Sequence, residues 1–154
     1  MRKSQLLLAS AWLIHLVAWC VQVMKGGVTL PSGLPGWEAF SVAANMALPS
    51  KGTDHVNWYF SVLAAMSALS TVLFVIASAW IIWRGSPGVR RISGWIAALF
   101  FVLNTHWFIF LGKDRFDLRA GYYLWLFSFL VLSIGLFASA RESNPAPLAK
   151  SHTA

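Results

Sequence analysis

Polar side chains interrupt otherwise apolar segments of this chain at His15, Gln22, Asn104 and His106. A polar group inside a hydrocarbon layer is costly unless it has a partner, so these residues are the first candidates for a functional role. An imidazole can relay a proton or ligate a metal, and a neutral imidazole can also simply hydrogen-bond to a neighbouring helix. Both interpretations stay open for His15 and His106.

The sharpest chemical hypothesis is a b-type haem with His15 and His106 as its axial ligands. Counted at about 1.5 Å per residue, His15 lies roughly 5 to 8 Å deeper in its helix than His106 does. Two axial ligands must reach one iron at the same level, and only helix tilt would absorb part of this offset. The sequence therefore favours a protein without a cofactor, with a haem- or quinone-binding redox subunit as the alternative.

A stripe of small and polar residues on one face of the first apolar segment consists of Ala11, His15, Ala18 and Gln22. Such a stripe is typical of a surface that packs against other helices. In a later segment Asn104 shares a side with Gly94 and Ala97, whereas His106 lies about 200° further round the helix. We expect Asn104 to point into a helix bundle and His106 to reach the interface or a neighbouring loop.

Other chemistries find little support in the residue inventory. The single cysteine, Cys20, excludes an internal disulfide and a CxxC motif, and we expect it to pack as a small hydrophobe inside a helix. Nucleotide-binding glycine patterns and a serine nucleophile elbow are missing. Possible oxygen and nitrogen ligands outside the apolar segments are Asp54, His55, Asp114 and Asp117. Solvated loop charges explain them better than a metal site does, so we expect neither a metal nor a catalytic residue.

The elements that must position these residues are apolar helices. Of the 154 residues 58% are hydrophobic and only 11% are charged, against about 25% in a typical soluble domain. The net charge of +7 comes from Lys and Arg at segment ends, which argues against a nucleic-acid partner. The lipid bilayer is the partner that this composition indicates.

Hydropathy predicts an all-α fold, a four-transmembrane-helix bundle with spans at residues 5–24, 58–83, 92–111 and 120–140. Pro87 and Gly88, within the segment RGSPGVRR, predict a tight turn and an antiparallel hairpin of the second and third spans. On the second span Ala68 and Thr71 belong to a surface that we expect to pack closely against other helices. Residues 141–154 have the composition of a disordered tail.

The first outer loop, residues 25–57, contains a short amphipathic helix. Its apolar positions are Trp37, Phe40, Ala44 and Leu48, and its polar positions are Glu38, Ser41 and Asn45. Pro35 and Gly36 precede the helix and Pro49 ends it, which suits a segment lying in the membrane interface. We take the side with Trp37, Phe40 and Leu48 as the candidate interaction surface, and a simple cap on the bundle is the alternative.

Orientation follows from the Lys and Arg residues on each side of the membrane. Seven of them lie on the side of the two termini and five lie on the side of the loops at 25–57 and 112–119. This bias predicts that both termini are cytoplasmic and that the loop at 25–57 faces the periplasm of a bacterial inner membrane.

The motif LPGWEAF at residues 34–40, between a first span and a long second span, resembles the outer loop of small uncharacterised four-helix bacterial inner-membrane proteins. The resemblance implies a four-helix layout and brings no activity or site residue with it. We therefore expect a non-enzymatic accessory, scaffold or interaction partner of other membrane components, or of a second copy. A redox subunit and a small transporter or channel are the alternatives.

Overall fold

The structure is a computed structural model that describes residues 2–25, 33–47, 58–111 and 116–143. In these ranges the elements follow the order α1 (Lys3–Cys20), β1 (Gln22–Met24), β2 (Leu34–Pro35), α2 (Gly36–Ala47), α3 (Trp58–Arg84), α4 (Pro87–Asn104), α5 (His106–Phe110) and α6 (Ala120–Glu142). Four helical segments, Lys3–Cys20, Ser61–Arg84, Pro87–Ile109 and Ala120–Glu142, are long and apolar enough to cross a membrane. This confirms the expectation of four apolar helices of spanning length. The tail at 144–154 lies outside the described residues.

Two of the predicted helix bounds are wrong. The first span ends at Cys20 rather than at residue 24, because Val21 is extended, with φ −94° and ψ 151°, and the chain continues as β1. The third span begins at Pro87 rather than at residue 92. Ser86 caps this helix by accepting a hydrogen bond from the Val89 N–H, and proline is favoured in the first helical turn. The turn between α3 and α4 is thus only Gly85 and Ser86.

Helix α6 is the centre of the bundle and packs along both α1 and α4. The buried hydrophobic core consists of Leu8, Ala11, Phe74, Ala97, Phe129, Val131, Leu132 and Leu136. Gly135 allows α1 to approach closely, since a Cβ there would lie 2.9 Å from a methyl carbon of Leu8. Small residues at such contacts are how helices pack closely when lipid surrounds them.

Polar contacts join the helices at the end of the bundle where the termini lie. The Glu142 carboxylate accepts hydrogen bonds from the Ser4 hydroxyl at 2.7 Å and from the Ser4 backbone N–H at 3.3 Å. A carboxylate is favourable at this position because the N-terminus of α1 carries a partial positive charge. Arg90 donates to Ser139 and Ser143 at 2.8 and 3.1 Å and so ties α4 to α6.

At the opposite end, which we call the outer end, strand β1 is hydrogen-bonded along both of its edges. On one edge β1 pairs antiparallel with β2, and on the other edge Met24 forms a bridge with Leu118. Three further backbone bonds hold the segment: Lys25 N–H to Asp117 O at 2.7 Å, Arg119 N–H to Val23 O at 2.8 Å, and Gly36 N–H to Val21 O at 3.2 Å. The sequence did not predict this small sheet.

Glycines at the starts of α2 and α6 allow the backbones to meet at this point. A Cβ on Gly121 would lie 2.6 Å from the carbonyl oxygen of Gln22, and a Cβ on Gly36 would overlap the backbone of Ala18 and Trp19. Real Cβ atoms do not approach backbone atoms so closely. The end of α1 and strand β1 are therefore enclosed between the first residues of two other helices.

We predict that Gly121→Ala destabilises the fold, because the added methyl group forces β1 away from α6. The expected cost is about 1–3 kcal/mol, or several degrees in the midpoint of thermal unfolding of the purified protein in detergent. The matched control is Gly88→Ala, since a Cβ at Gly88 meets no atom within 4 Å. Equal midpoints for the two variants would show that the contact between α6 and β1 is not tight.

Candidate functional site

An apolar chamber of about 250 Å³ lies at the outer end of the bundle, between α2 and the spanning helices. Its walls come from the end of α1, from the small sheet, and from α2, α3, α5 and α6. The lining side chains include Trp19, Phe40, Ala68, Thr71, Trp107 and Trp125. Nearly all of the chamber surface is apolar. Ala68 and Thr71 therefore border the cavity, although Thr71 is also buried and bonded to its neighbours.

Helix α2 covers the chamber because it contacts α1 on one side and α3 on the other. At its start, Gly36 lies against the last turn of α1 and donates its N–H to Val21. Further along, the Phe40 ring stacks on Trp19 with ring centroids 5.6 Å apart. The opposite flank of α2 packs against α3.

The wall on the α3 and α4 side contains a buried polar cluster centred on Asn104, which is fully buried. Its side-chain oxygen accepts from the Ser67 hydroxyl at 2.7 Å, and its amide nitrogen donates to the Ser70 hydroxyl at 3.0 Å. The prediction that Asn104 points inward agrees with this placement. An asparagine whose oxygen and nitrogen are both bonded to α3 fixes the spacing and register of two helices.

Two tryptophans extend the cluster along the chamber. The Trp107 ring N–H donates to the Ser67 hydroxyl at 2.9 Å, and the Trp125 ring N–H donates to the Thr71 hydroxyl at 3.1 Å. Thr71 in turn donates to the Ser67 carbonyl at 3.2 Å. Each indole thus presents its apolar face to the chamber and buries its single donor in the protein.

A break in the third span adds Tyr122 to the cluster. Thr105 tightens the chain by donating its N–H to Val102 O, and the Phe108 N–H then bonds Thr105 O instead of Asn104 O. The Asn104 carbonyl, left without its usual helical donor, accepts from the Tyr122 hydroxyl at 3.0 Å.

The same break changes the position of His106. Its ring is 7% exposed, and Nδ1 lies 2.6 Å from the carbonyl oxygen of Leu103. The ring is therefore buried rather than exposed on the surface, because the estimate of 200° assumed a regular helix through residue 105; contact with the membrane interface or with a neighbouring loop stays a prediction. The ring also contacts Trp107, at a centroid distance of 4.7 Å.

His15 lies deeper in the bundle, among aromatic rings. It is 1% exposed and stacks on Phe74 with centroids 3.9 Å apart and planes within 8°. Its Nδ1 is 2.9 Å from the Ser128 hydroxyl oxygen, and that hydroxyl donates to Trp125 O at 2.6 Å. Because the Ser128 proton is used in this way, His15 must donate from Nδ1, which leaves Nε2 as a buried acceptor. Nε2 has no hydrogen-bond partner among the described residues.

The surroundings of the two histidines give a bis-histidine haem no prepared site. Neither His15 nor His106 lines the chamber. The two histidines also lie at different depths along α6. His15 is level with Ser128, whereas Asn104, close to His106 in sequence, is bonded to Tyr122. Tyr122 is six residues, or about 9 Å, closer to the outer end of α6 than Ser128. A porphyrin at His15 would also have to displace the Phe74 ring. The haem hypothesis stays a prediction that an absorption spectrum would test.

The remaining predicted site residues fall in several different places. Gln22 belongs to β1 and is exposed, so the expectation that it continues the buried stripe of α1 is wrong. Cys20 is also exposed and does not pack inside the bundle as expected, because α1 ends at this residue. Trp37 is 55% exposed, whereas Phe40 faces Trp19, so these two side chains do not form one outward surface. Leu48 lies outside the described residues.

No group of three or more potential metal ligands occurs within the described ranges. Asp54, His55 and Asp114 lie outside those ranges, and Asp117 contributes its backbone carbonyl to the bond with Lys25. Sequence reasoning missed Ser67, Trp107 and Tyr122. The available signal was that Ser67 and Thr71 lie one turn apart on α3 and that Trp and Tyr carry donors that need partners when buried.

We predict that His15→Ala lowers stability by roughly 2–5 kcal/mol, because it removes a ring packed on Phe74 and leaves a cavity. His15→Phe keeps an aromatic ring at this position and removes the unpartnered Nε2, so its unfolding midpoint should stay close to that of the unmodified protein. Unfolding in detergent measures both variants. A large loss in His15→Phe as well would show that the imidazole nitrogens, rather than the ring, matter.

No protein-family model matches the chain, and no curated protein or solved structure matches it. The chamber and the residues around it are therefore the features of the structure that bear on function.

Proposed function

We propose that this chain is a non-enzymatic, multi-pass membrane protein of the accessory type, which holds the apolar part of a small ligand in the outer chamber. The observation that carries the proposal is the chamber itself, with its apolar walls and its cover of α2. Ligand sites are typically concave and mostly apolar, with a few fixed polar groups. The buried Asn104 cluster fits the role of a rigid support for such walls.

The size of the chamber supports a ligand rather than a packing gap. An engineered apolar cavity of about 150 Å³ stays dry and takes up benzene. The chamber is about 250 Å³ and is likewise lined by apolar side chains. Closely packed interiors contain few voids larger than a water molecule, so an apolar space of this size is unusual and has room for an apolar group.

The membrane and the partner belong to the same proposal. The charge bias of seven against five supports a bacterial inner membrane with both termini in the cytoplasm, so that the chamber lies at the periplasmic end. Trp37, which is exposed on α2, is the best candidate to contact another membrane protein or a second copy. A large exposed aromatic side chain is a frequent anchor of such contacts.

We predict that a lipid with a diazirine at the end of one acyl chain labels the lining residues of the chamber. The protein is reconstituted in phosphatidylglycerol vesicles that contain this lipid, irradiated, and analysed by peptide mass spectrometry. Ala68→Phe fills the chamber and should reduce labelling of Trp107 and Trp125 several-fold, while labelling of outward-facing residues continues.

The matched control is Ala79→Phe, because Ala79 is an exposed residue on the same helix. It adds the same ring without entering the chamber and should leave chamber labelling unchanged. Labelling confined to outward-facing residues in the unmodified protein would contradict the proposed function.

Orientation has its own test, which uses a membrane-impermeant maleimide on spheroplasts. In a Cys20→Ser background, Phe116→Cys places a thiol at the outer end and Ser143→Cys places one at the end with the termini; both positions are exposed. We expect Phe116→Cys to react in intact spheroplasts and Ser143→Cys to react only after lysis. The reverse pattern would contradict the charge argument.

A further inference from the structure

The polar side chains that border the chamber have already used their hydrogen-bond donors. Tyr122 donates to Asn104 O, Trp107 to Ser67, and Trp125 to Thr71. Ser67 and Thr71 each have one hydroxyl proton, and these are donated to Asn104 Oδ1 and to Ser67 O. Five polar groups thus face or flank the chamber without a free donor among them.

One lining side chain differs from these five. Trp19 lines the chamber and stacks on Phe40, and its ring N–H has no acceptor among the described residues. This donor belongs to the last turn of α1, close to α2, and not to the Asn104 cluster. Among the side chains of the described residues, a ligand therefore meets at most this single donor.

We propose that the chamber selects a hydrocarbon chain, such as the acyl chain of a membrane lipid, and does not select an acceptor-bearing head group such as a quinone. This inference rests on the proposed function and specifies its ligand class. A quinone carries two carbonyl oxygens, which lose their hydrogen bonds to water on entering the chamber. Even if the Trp19 ring N–H bonds one of these oxygens, the other stays unpaired, and burying an unpaired polar group costs free energy, whereas a hydrocarbon chain has no such cost.

Thr71 is the residue at which the ligand preference of the chamber can be changed by a single substitution. The Thr71 hydroxyl accepts the Trp125 ring N–H, and this bond keeps the donor away from any ligand. Thr71→Val would release the Trp125 donor to the chamber with little change in volume. Thr71→Ser keeps the hydroxyl and should keep the donor occupied.

The test is competition against the diazirine lipid in the same vesicles, with decane and a decyl-substituted benzoquinone as the competing probes. In the unmodified protein we expect the quinone to compete no better than decane, to within about twofold, because at most one of its two carbonyl oxygens regains a hydrogen bond. A quinone that competes more than twofold better than decane would overturn the inference.

The two Thr71 variants test whether the Trp125 donor controls this competition. Thr71→Val should improve competition by the quinone relative to decane by roughly threefold to tenfold, the value of one hydrogen bond, and Thr71→Ser should not. An unchanged ratio in Thr71→Val would also count against the inference, because it would mean that the Trp125 donor does not control selectivity.

Failure of the inference and failure of the proposed function give different results. If the chamber is not labelled in the unmodified protein, no ligand enters it and the proposed function fails. If the chamber is labelled and the quinone competes more than twofold better than decane, the function stands and the ligand class assigned here is wrong.

Discussion

The extended segment after α1 is held by backbone hydrogen bonds along both of its edges. These bonds determine how the helices meet at the outer end of the structure. A strand that leaves a helix exposes N–H and C=O groups in two directions, and each unpaired group is costly in apolar surroundings. Strand β1 pairs with β2 on one edge and with residues 117–119 on the other. Because α2 follows one partner directly and α6 follows the other, a single strand sets the outer ends of α1, α2 and α6.

The chamber is a consequence of this arrangement. Helix α2 begins against the last turn of α1, where Gly36 allows a close approach, and it then crosses to α3. The space beneath it is bounded by the indoles of Trp107 and Trp125, whose donors are fixed by hydroxyl groups of α3. Bulky rings held in this way keep their positions, so the space does not close by simple rotation of side chains.

The polar residues in the described parts of the spans act mainly on one another. Asn104 joins α4 to two serines of α3, and the break at Thr105 leaves a carbonyl that Tyr122 satisfies. His15 is enclosed by aromatic rings and bonded to Ser128. Hydrogen bonds of this kind lower the free-energy cost of burying polar side chains inside the bundle. They also leave the chamber with apolar walls.

The sequence alone determined the number of apolar helices and most of their bounds, because hydropathy is a sum over neighbouring residues. It also indicated that Asn104 points inward, since Gly94 and Ala97 on the same face permit close packing. Only the tertiary structure decided that α1 ends at Cys20, that His106 is buried, and that Phe40 turns towards Trp19. These features depend on bonds between residues far apart in the chain, such as Arg119 with Val23 and Tyr122 with Asn104. A periodic pattern within one segment contains no information about such partners, and the chamber exists only where several segments meet.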